Sequence, residues 1–147
     1  PGRGLELGCS IGVLTERLAG RCDELVAVDI APRAVAAARE RLAGWTSVTV
    51  EERDLPAELP AGPWDLIMAS EVLYYWDADL LRSALDALVG ELADDGRLVA
   101  VHWTEPTETY PLQGDEVHTI LRAHPGLRLV DSARRDHYRV DVLAPAP

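Results

Sequence analysis

Short runs rich in Leu, Ile and Val alternate with longer segments of helical pattern along most of the chain. This alternation is typical of parallel strands joined by crossover helices. We predict five such strands, at 4–7, 25–29, 48–52, 65–70 and 97–102, and four helices, at 13–19, 32–42, 79–92 and 115–123. Two closing strands, 127–133 and 138–143, are expected to be antiparallel to each other. The sequence therefore predicts an α/β fold with a mostly parallel sheet, an antiparallel C-terminal strand and helices on both faces.

Composition limits the classes of partner. The chain has 25 acidic residues against 14 Lys and Arg, a formal net charge of −11, which disfavours a phosphate backbone as ligand. We therefore expect a small-molecule substrate and no nucleic acid. No apolar run approaches the ~20 residues of a membrane span, so no membrane partner is expected. Cys9 and Cys22 lack the spacing of a redox or zinc motif and are expected to be reduced, as in the cytoplasm.

The segment Glu6-Leu7-Gly8-Cys9-Ser10-Ile11-Gly12 lies where the first predicted strand turns into the first predicted helix. Gly8 and Gly12 carry no Cβ, so the backbone can approach a nucleotide-like ligand and present N–H groups to it. A dinucleotide fingerprint has a glycine where Ser10 stands, so NAD is disfavoured. The acidic Glu6 would repel a pyrophosphate but would attract the ammonium of an amino acid.

Two further carboxylates follow later strands. Asp29 ends the second strand, where it is suited to accept hydrogen bonds from both ribose hydroxyls, and Asp54 follows the third. Together these features resemble the E-x-G-x-x-x-G signature of class I S-adenosylmethionine-dependent methyltransferases, whose cofactor has no phosphate. The resemblance implies a Rossmann-like fold, S-adenosylmethionine as cofactor, and Asp54 beside the adenine amino group. The cofactor-binding residues it implies are Glu6, Gly8, Cys9, Ser10, Gly12, Asp29, Ile30, Asp54, Leu55, Ser70 and Glu71.

A narrower resemblance comes from the segments 70–76, 102–103 and 110–118. They are similar to the nodulation-type, NodS-like N-methyltransferases, which methylate the free amine of deacetylated amino-sugar oligomers. Methyltransferases commonly carry N-terminal helices that cover the cofactor. We expect residues 1–147 to be one S-adenosylmethionine-binding domain from which those helices are missing.

The acceptor is expected beyond the carboxyl ends of the fourth and fifth strands. Aromatic rings that could wall the pocket, by stacking on adenine or a sugar or by attracting a cation, are Tyr74, Tyr75, Trp76, Trp103 and Tyr110. Four of them, Tyr74, Tyr75, Trp103 and Tyr110, are predicted to bind the acceptor. Because an amine must be neutral before it attacks, the chain needs a proton acceptor, and the candidates are Glu71, His102 and His118. Alternatives for these three are a cofactor contact or helix cap for Glu71 and structural roles for the histidines.

Three functions stay open at this level. The first is an N-methyltransferase of an amino sugar or related amine, and the second is an O-methyltransferase of a natural product or carboxylate. The third is a non-catalytic cofactor-binding or partner-binding module. No metal is predicted, because Asp115, His118 and His102 do not form a recognisable ligand array. The sequence has no G-x-S-x-G hydrolase motif and carries no signal for oligomeric state.

Overall fold

A computed structural model of the chain describes residues 2–147. Its helices are α1 (Val13–Ala19), α2 (Pro32–Arg41), α3 (Ala78–Gly90) and α4 (Gly114–Ala123), with a 3₁₀ turn at Leu73–Tyr75. Its strands are β1 (Arg3–Leu7), β2 (Glu24–Asp29), β3 (Val48–Glu52), β4 (Trp64–Ser70), β5 (Leu92–Trp103), β6 (Leu127–Arg134) and β7 (Tyr138–Pro145). All seven form one sheet in the order β3-β2-β1-β4-β5-β7-β6.

The pairing pattern confirms the predicted Rossmann-like α/β fold. Strands β1 to β5 pair in parallel, and β7 is antiparallel to both of its neighbours, β5 and β6. The sequence predicted the two closing strands to be antiparallel to each other, and the structure confirms this. The chain order reverses at β1, which lies between β2 and β4. In open α/β sheets this switch point is where ligands bind, outside the carboxyl ends of the strands.

Alternating side chains place helices on both faces of the sheet, as predicted. On one face, Leu5, Leu7 and Ile67 pack against α3 and α4 in the largest core cluster. On the other face, Ala27 packs with α2 and Leu25 packs with α1. Each fully buried Leu or Ile contributes roughly 1.5–3 kcal/mol relative to an exposed one. This two-sided burial explains why the central strands are nearly continuous apolar runs.

The boundary between α3 and β5 differs most from the sequence prediction. Helix α3 ends at Gly90, and Leu92, which was assigned to the helix, is a buried residue that begins β5 and pairs with Trp64. Asp95 and Gly96, which lie between the predicted helix and the predicted strand at 97–102, are inside β5, where the register with β4 shifts. A Cβ at Gly96 would come within 2.6 Å of the Trp64 carbonyl oxygen, so this irregular crossing requires glycine.

Both cysteines are free thiols in separate core clusters, Cys9 beneath α2 and Cys22 beside α1. Burial raises the pKa of the Cys9 thiol to about 12 and also raises the pKa of Cys22, which makes both unreactive. Among residues 2–147, no helix combines the length and apolar character needed to cross a membrane. The same residues contain no group of three or more His, Cys, Asp or Glu arranged to hold a metal ion.

Candidate functional site

A cavity of about 510 Å³ opens at the carboxyl ends of β1 to β4, at the switch point of the sheet. We call it the main cavity. Seven of the residues predicted to bind the cofactor line it: Gly8, Ser10, Asp29, Ile30, Asp54, Leu55 and Glu71. The remaining lining residues are Arg53, Val72, Tyr75 and Trp76. The predicted cofactor segment and the two later carboxylates therefore converge on one space.

The loop after β1 approaches the cavity through backbone that a side chain would obstruct. Gly8 has a φ of 68°, and a Cβ built on it would lie 2.8 Å from Val72 Cγ2. Gly12, with a φ of 81°, packs against Ala38 of α2, and Cys9 is buried beneath the loop, where its N–H donates to the Val28 carbonyl at 2.9 Å. Cys9 and Gly12 thus shape the loop without lining the main cavity, and their contact with a cofactor stays a prediction.

The Asp29 carboxylate is fixed in position by two backbone amides. The Ser10 N–H donates to Oδ2 at 2.8 Å and the Ala31 N–H donates to Oδ1 at 2.9 Å. Each carboxylate oxygen can accept a further hydrogen bond, so Asp29 keeps acceptor capacity toward the cavity. Ser10 adopts the left-handed region, with a φ of 49°, and this conformation points its amide at Asp29.

Glu6 lies behind the loop with only 2% of its surface exposed. Its Oε2 and the nearby Thr15 Oγ1 have no hydrogen-bond partner among residues 2–147. Burial raises the pKa of the Glu6 carboxyl to about 7; the neighbouring Thr15 hydroxyl opposes this shift, and the negative charge of Asp29 adds to it. A buried carboxylate oxygen without a partner is costly, and a cationic ligand group would supply the missing interaction.

Glu71 follows β4 and is held by three hydrogen bonds. Its N–H donates to the Val101 carbonyl at 2.8 Å, its Oε1 accepts from the Trp103 N–H at 2.7 Å, and its Oε2 accepts from the Tyr74 hydroxyl. Its φ of 55° is unfavourable for a side chain with a Cβ and costs roughly 1–3 kcal/mol. Ser70, the last residue of β4, is not among the residues that line the cavity, so only Glu71 of this predicted pair does.

A second cavity, of about 410 Å³, has Glu71 as part of its wall too. We call it the side cavity. Its other lining residues are Tyr74, Trp103, Pro106, Thr107, Tyr110 and Gly114. Three of the four predicted acceptor aromatics therefore lie here. The fourth, Tyr75, lines the main cavity instead, although its hydroxyl comes within 3.5 Å of the Tyr110 hydroxyl.

The aromatic wall of the side cavity is a packed cluster. The rings of Tyr74 and Tyr110 stack with centroids 4.4 Å apart, and the ring of Tyr75 meets Tyr110 edge-on at 4.7 Å. Burial raises the pKa of Tyr74, and its hydrogen bond to the negative Glu71 raises it further. Tyr74 therefore stays a neutral phenol that donates to Glu71.

His102 and His118, the other two candidates for proton transfer, lie in the interior. Both are fully buried, and neither lines the main or the side cavity. Their rings bond to each other, with 3.2 Å between His102 Nδ1 and His118 Nε2. The prediction that they take the acceptor's proton is corrected by this placement, because all four ring nitrogens are engaged inside the protein. Of the three candidates, only Glu71 reaches a cavity.

Sequence reasoning missed Arg53 and Val72 as lining residues. Arg53 stands directly before Asp54, and its guanidinium is paired with Glu51 at 2.7 Å. Its backbone N–H donates to the Asp29 carbonyl at 3.0 Å, which couples the ends of β2 and β3. The adjacency to Asp54 is a signal for Arg53. No sequence signal identified Val72 as a lining residue, because only its packing against Gly8 brings it to the cavity.

The sequence model of the family described as Nodulation protein S (NodS) matches residues 2–104. The chain belongs to the Nodulation protein S family. The matched residues include β1 to β5 and every residue that lines the main cavity. The part of the side cavity formed by Pro106, Thr107, Tyr110 and Gly114 lies beyond the match.

Individual family members show the same extent of similarity. Nodulation protein S of Sinorhizobium fredii is 38% identical over 96 residues, covering 65% of this chain and 44% of that protein. Nodulation protein S of Bradyrhizobium diazoefficiens is 36% identical over 96 residues, covering 65% of this chain and 46% of that protein. The chain thus spans less than half the length of these curated relatives.

A solved structure extends the comparison across the sheet. The crystal structure of N-methyltransferase NodS from Bradyrhizobium japonicum WM9, in complex with S-adenosyl-L-homocysteine, is 29% identical and superposes with a TM-score of 0.88. The superposition covers 99% of this chain and 79% of that chain. It confirms the Rossmann-like methyltransferase fold, including the closing antiparallel strands.

Proposed function

We propose that this chain binds S-adenosylmethionine in the main cavity and transfers its methyl group to the amine of a small molecule in the side cavity. The acceptor we propose is a deacetylated amino sugar or a related amine. The observation that carries the proposal is that Glu71 lines both cavities. A methyl donor on one side and an acceptor on the other would meet at its carboxylate.

The residues of the main cavity, together with the buried Glu6 behind its loop, suit a phosphate-free adenosyl cofactor. The unpartnered Glu6 Oε2 would receive the ammonium of the methionine moiety, directly or through water, and Asp29 would receive the ribose hydroxyls. Asp54 is exposed at the cavity wall, where it could accept from the adenine amino group. Gly8 keeps the loop free of a Cβ at the closest approach. The solved relative that holds S-adenosyl-L-homocysteine supports the same cofactor.

A pyrophosphate finds less support in the same space. Asp29, Asp54 and Glu71 line the cavity and would repel it, and Arg53 is the single basic residue among those that line the main cavity in the described chain. Arg53 is already paired with Glu51 at 2.7 Å. The charge of this wall favours a ligand with cationic groups.

The side cavity suits an amine. Its lining residues within the described chain include the carboxylate of Glu71 and three aromatic rings, and no lysine or arginine. The faces of Trp103 and Tyr110 can stack on the apolar face of a sugar, and the same π surfaces attract a cation. The name N-methyltransferase carried by the solved NodS relative supports nitrogen as the atom that receives the methyl group.

The chain's residues would act mainly by alignment and proton removal. The bound cofactor supplies a methyl group activated by its sulfonium. Glu71 would take the proton that the acceptor ammonium must lose before its lone pair can attack. The Trp103 N–H and the Tyr74 hydroxyl hold the Glu71 carboxylate in one orientation, so that it is in place when the acceptor arrives. Holding donor and acceptor in line can account for several kcal/mol of the barrier, up to about 7–11 kcal/mol in ideal cases.

Two measurements test the proposal. Calorimetry with S-adenosylmethionine and S-adenosyl-L-homocysteine tests the cofactor, and absence of binding would contradict an enzyme that uses it. Radiolabelled methyl transfer to deacetylated chitin oligomers, simple amines and hydroxylated acceptors then tests the acceptor. Label on amines supports the proposal, whereas label only on hydroxyl groups makes the chain an O-methyltransferase. Binding without transfer to any acceptor indicates a non-catalytic module.

The proton-acceptor role of Glu71 needs its own variant. Glu71→Gln keeps the shape and one acceptor oxygen but removes the charge, so we expect turnover to fall by roughly 100-fold or more. Glu108→Gln makes the same chemical change at an exposed residue outside both cavities and is the matched control. Unchanged turnover in Glu71→Gln would refute the role.

A further inference from the structure

A line of buried side chains crosses the protein beneath the side cavity. It joins His102 of β5, His118 of α4 and Asp141 of β7, all three fully buried. His102 Nδ1 lies 3.2 Å from His118 Nε2, and His118 Nδ1 lies 2.8 Å from Asp141 Oδ2. We call these three residues the buried chain.

Each end of the buried chain is anchored. At the outer end, the Arg122 guanidinium donates to both Asp141 oxygens, at 2.8 and 2.6 Å, and the Ser132 hydroxyl donates at 2.8 Å. At the inner end, the backbone N–H of Leu73 donates to His102 Nε2 at 3.3 Å. The buried chain therefore connects the Arg122 guanidinium, near the surface, with the Leu73 amide at the start of the 3₁₀ turn.

These partners allow only one arrangement of protons. The Leu73 amide can only donate, so His102 Nε2 must accept. Burial lowers the pKa of His102 to about 3, so its ring is neutral and carries its single proton on Nδ1. That proton is donated to His118 Nε2, which leaves the His118 proton on Nδ1, directed at Asp141. Burial alone would raise the pKa of Asp141, but hydrogen bonds from Arg122, His118 and Ser132 hold it well below its usual value.

This polarity gives the buried chain a mechanical role and rules out proton transfer to it from an acceptor. A backbone amide cannot pass a proton onward, and His102 has no free nitrogen to receive one. Buried polar networks carry a high energetic cost when any member is left unsatisfied. Every member here is satisfied, and the group at the inner end is the Leu73 amide.

Leu73 is well placed to transmit this anchoring. Glu71, two residues earlier, has the left-handed φ of 55°, and Tyr74, the next residue, bonds to the Glu71 carboxylate. The Tyr74 ring also meets the His102 ring edge-on, with centroids 5.2 Å apart. The strained Glu71 and its partner Tyr74 thus both depend on a turn that His102 contacts twice.

We propose that His102 is a positioning residue of the methyl-transfer site, because its imidazole fixes the Leu73 amide and so holds Glu71 and Tyr74 in register with both cavities. The effect on catalysis in this inference rests on the proposed function. His118 and Asp141 support His102, because their hydrogen bonds fix Nε2 as the His102 nitrogen that accepts from the Leu73 amide. None of the three touches the reacting groups.

The first test needs no substitution. Nitrogen NMR of ¹⁵N-histidine-labelled protein should find His102 and His118 both with the proton on Nδ1, and the His102 ring should not titrate between about pH 5 and pH 8. A proton on Nε2 of His102, or titration of that ring in this range, would overturn the proposal. This result is independent of any cofactor or acceptor.

The second test compares two variants of His102. His102→Gln keeps an acceptor oxygen within reach of the Leu73 amide, whereas His102→Leu removes it. The reporter is the ¹³Cζ signal of labelled Tyr74, assigned with Tyr74→Phe, because it senses the hydrogen bond to Glu71. We expect a shifted signal in His102→Leu and a nearly native one in His102→Gln. An unchanged signal in a folded His102→Leu would overturn the proposal; if that variant does not fold, His118→Leu carries the same test one step away.

Turnover completes the test. With a deacetylated chitin tetramer as acceptor, kcat should fall by about 10- to 100-fold in His102→Leu, while Kd for S-adenosyl-L-homocysteine changes by less than about threefold. His102→Gln should recover most of the loss. Equal losses of kcat and of cofactor affinity in both variants would indicate a merely structural histidine. If the unsubstituted chain binds no S-adenosyl-L-homocysteine, the proposed function fails, while the Tyr74 signal still decides whether His102 holds the turn.

Discussion

Replacement of Glu6 by Gln should make the unliganded protein more stable while it weakens the binding of the cofactor. Glu6 is 2% exposed, its Oε2 has no partner within residues 2–147, and burial raises its pKa from 4.5 to about 7. The folded protein therefore holds this proton more tightly than the unfolded chain does. Gln is neutral at every pH and fills nearly the same volume, so it removes the cost of burying the charge.

The size of the effect follows from the two pKa values. Below about pH 4.5 the carboxyl is neutral in both states and costs nothing. Between about pH 4.5 and 7 only the unfolded state loses its proton, so the free energy of unfolding falls by about 1.4 kcal/mol per pH unit. Above about pH 7 the loss levels off at about 3 kcal/mol. For a domain of this length that equals roughly 6–12 °C in Tm.

Urea unfolding at several pH values between about 4 and 8 measures this difference. We expect Glu6→Gln to exceed the unsubstituted protein by about 3 kcal/mol at pH 8, and the gap to shrink toward zero near pH 4. The control is Glu108→Gln, an exposed residue at which the same change should leave the two pH profiles parallel. A Glu6→Gln profile that is also parallel to the unsubstituted one would refute the reasoning, because no buried charge would then have been removed.

The effect of Glu6→Gln on ligand affinity has the opposite sign to its effect on stability. At about pH 8 the substitution should weaken binding of S-adenosyl-L-homocysteine by about 1.5–3 kcal/mol, since it replaces a charge-assisted hydrogen bond to the ligand ammonium. In the unsubstituted protein, affinity should fall as the pH drops below about 7, because the ligand then competes with a proton for Glu6. Calorimetry at about pH 6 and 8 measures both effects. Tighter binding by Glu6→Gln would contradict the ammonium assignment.

Three further substitutions test other contacts of the two cavities. Asp29→Ala should weaken the binding of S-adenosyl-L-homocysteine, measured by calorimetry, by about 1–3 kcal/mol. Asp29→Asn retains an acceptor for the Ser10 amide and so separates the loss of charge from a displaced loop. Unchanged affinity in both variants would contradict the ribose role. Gly8→Ala should destabilise the fold by about 1–2 kcal/mol in urea unfolding, because of its φ of 68° and its approach to Val72, and Val72→Ala should restore part of the loss; full additivity would show that the two positions are not coupled. Trp103→Ala should raise KM for a deacetylated chitin oligomer several-fold without changing cofactor affinity, and an unaltered KM would place the acceptor elsewhere.

Local sequence signals predicted the fold and the main cavity with few errors. Apolar runs and their periods, with Pro and Gly as boundary signals, identified the seven strands and the four α-helices, because a strand buried on both faces and a helix buried on one leave different patterns. Gly8, Asp29 and Asp54 were found because each lies at or just after the end of a strand, and the carboxyl ends of parallel strands meet at one edge. These features are encoded within a few neighbouring residues.

The predicted end of α3 was wrong because the contact that decides it is not local in the sequence. Leu92 continues the apolar stripe of the helix, and nothing local distinguishes a last helical turn from the first residue of a buried strand. Pairing with Trp64, which is remote in the chain, decides that Leu92 belongs to β5.

The roles of the candidate proton acceptors also depended on distant contacts. Glu71, His102 and His118 are similar candidates by residue type, because each can accept a proton near neutral pH in a suitable environment. Their environments differ because β7 pairs with β5 and brings Asp141 within hydrogen-bonding distance of His118. The Leu73 amide donates a hydrogen bond to His102 Nε2, the ring nitrogen that does not contact His118. This leaves Glu71 as the one of the three that faces both cavities.

The sequence by itself determined the α/β architecture and the acidic, glycine-bearing edge at which a phosphate-free cofactor is expected, since both arise from spacing along the chain. The tertiary structure alone decided which ionisable groups are exposed to ligand and which are buried, and which of the tyrosines belongs to which cavity. The physical reason is that pKa values and access depend on burial and on partners contributed by remote strands. Residue type and spacing do not fix either of these.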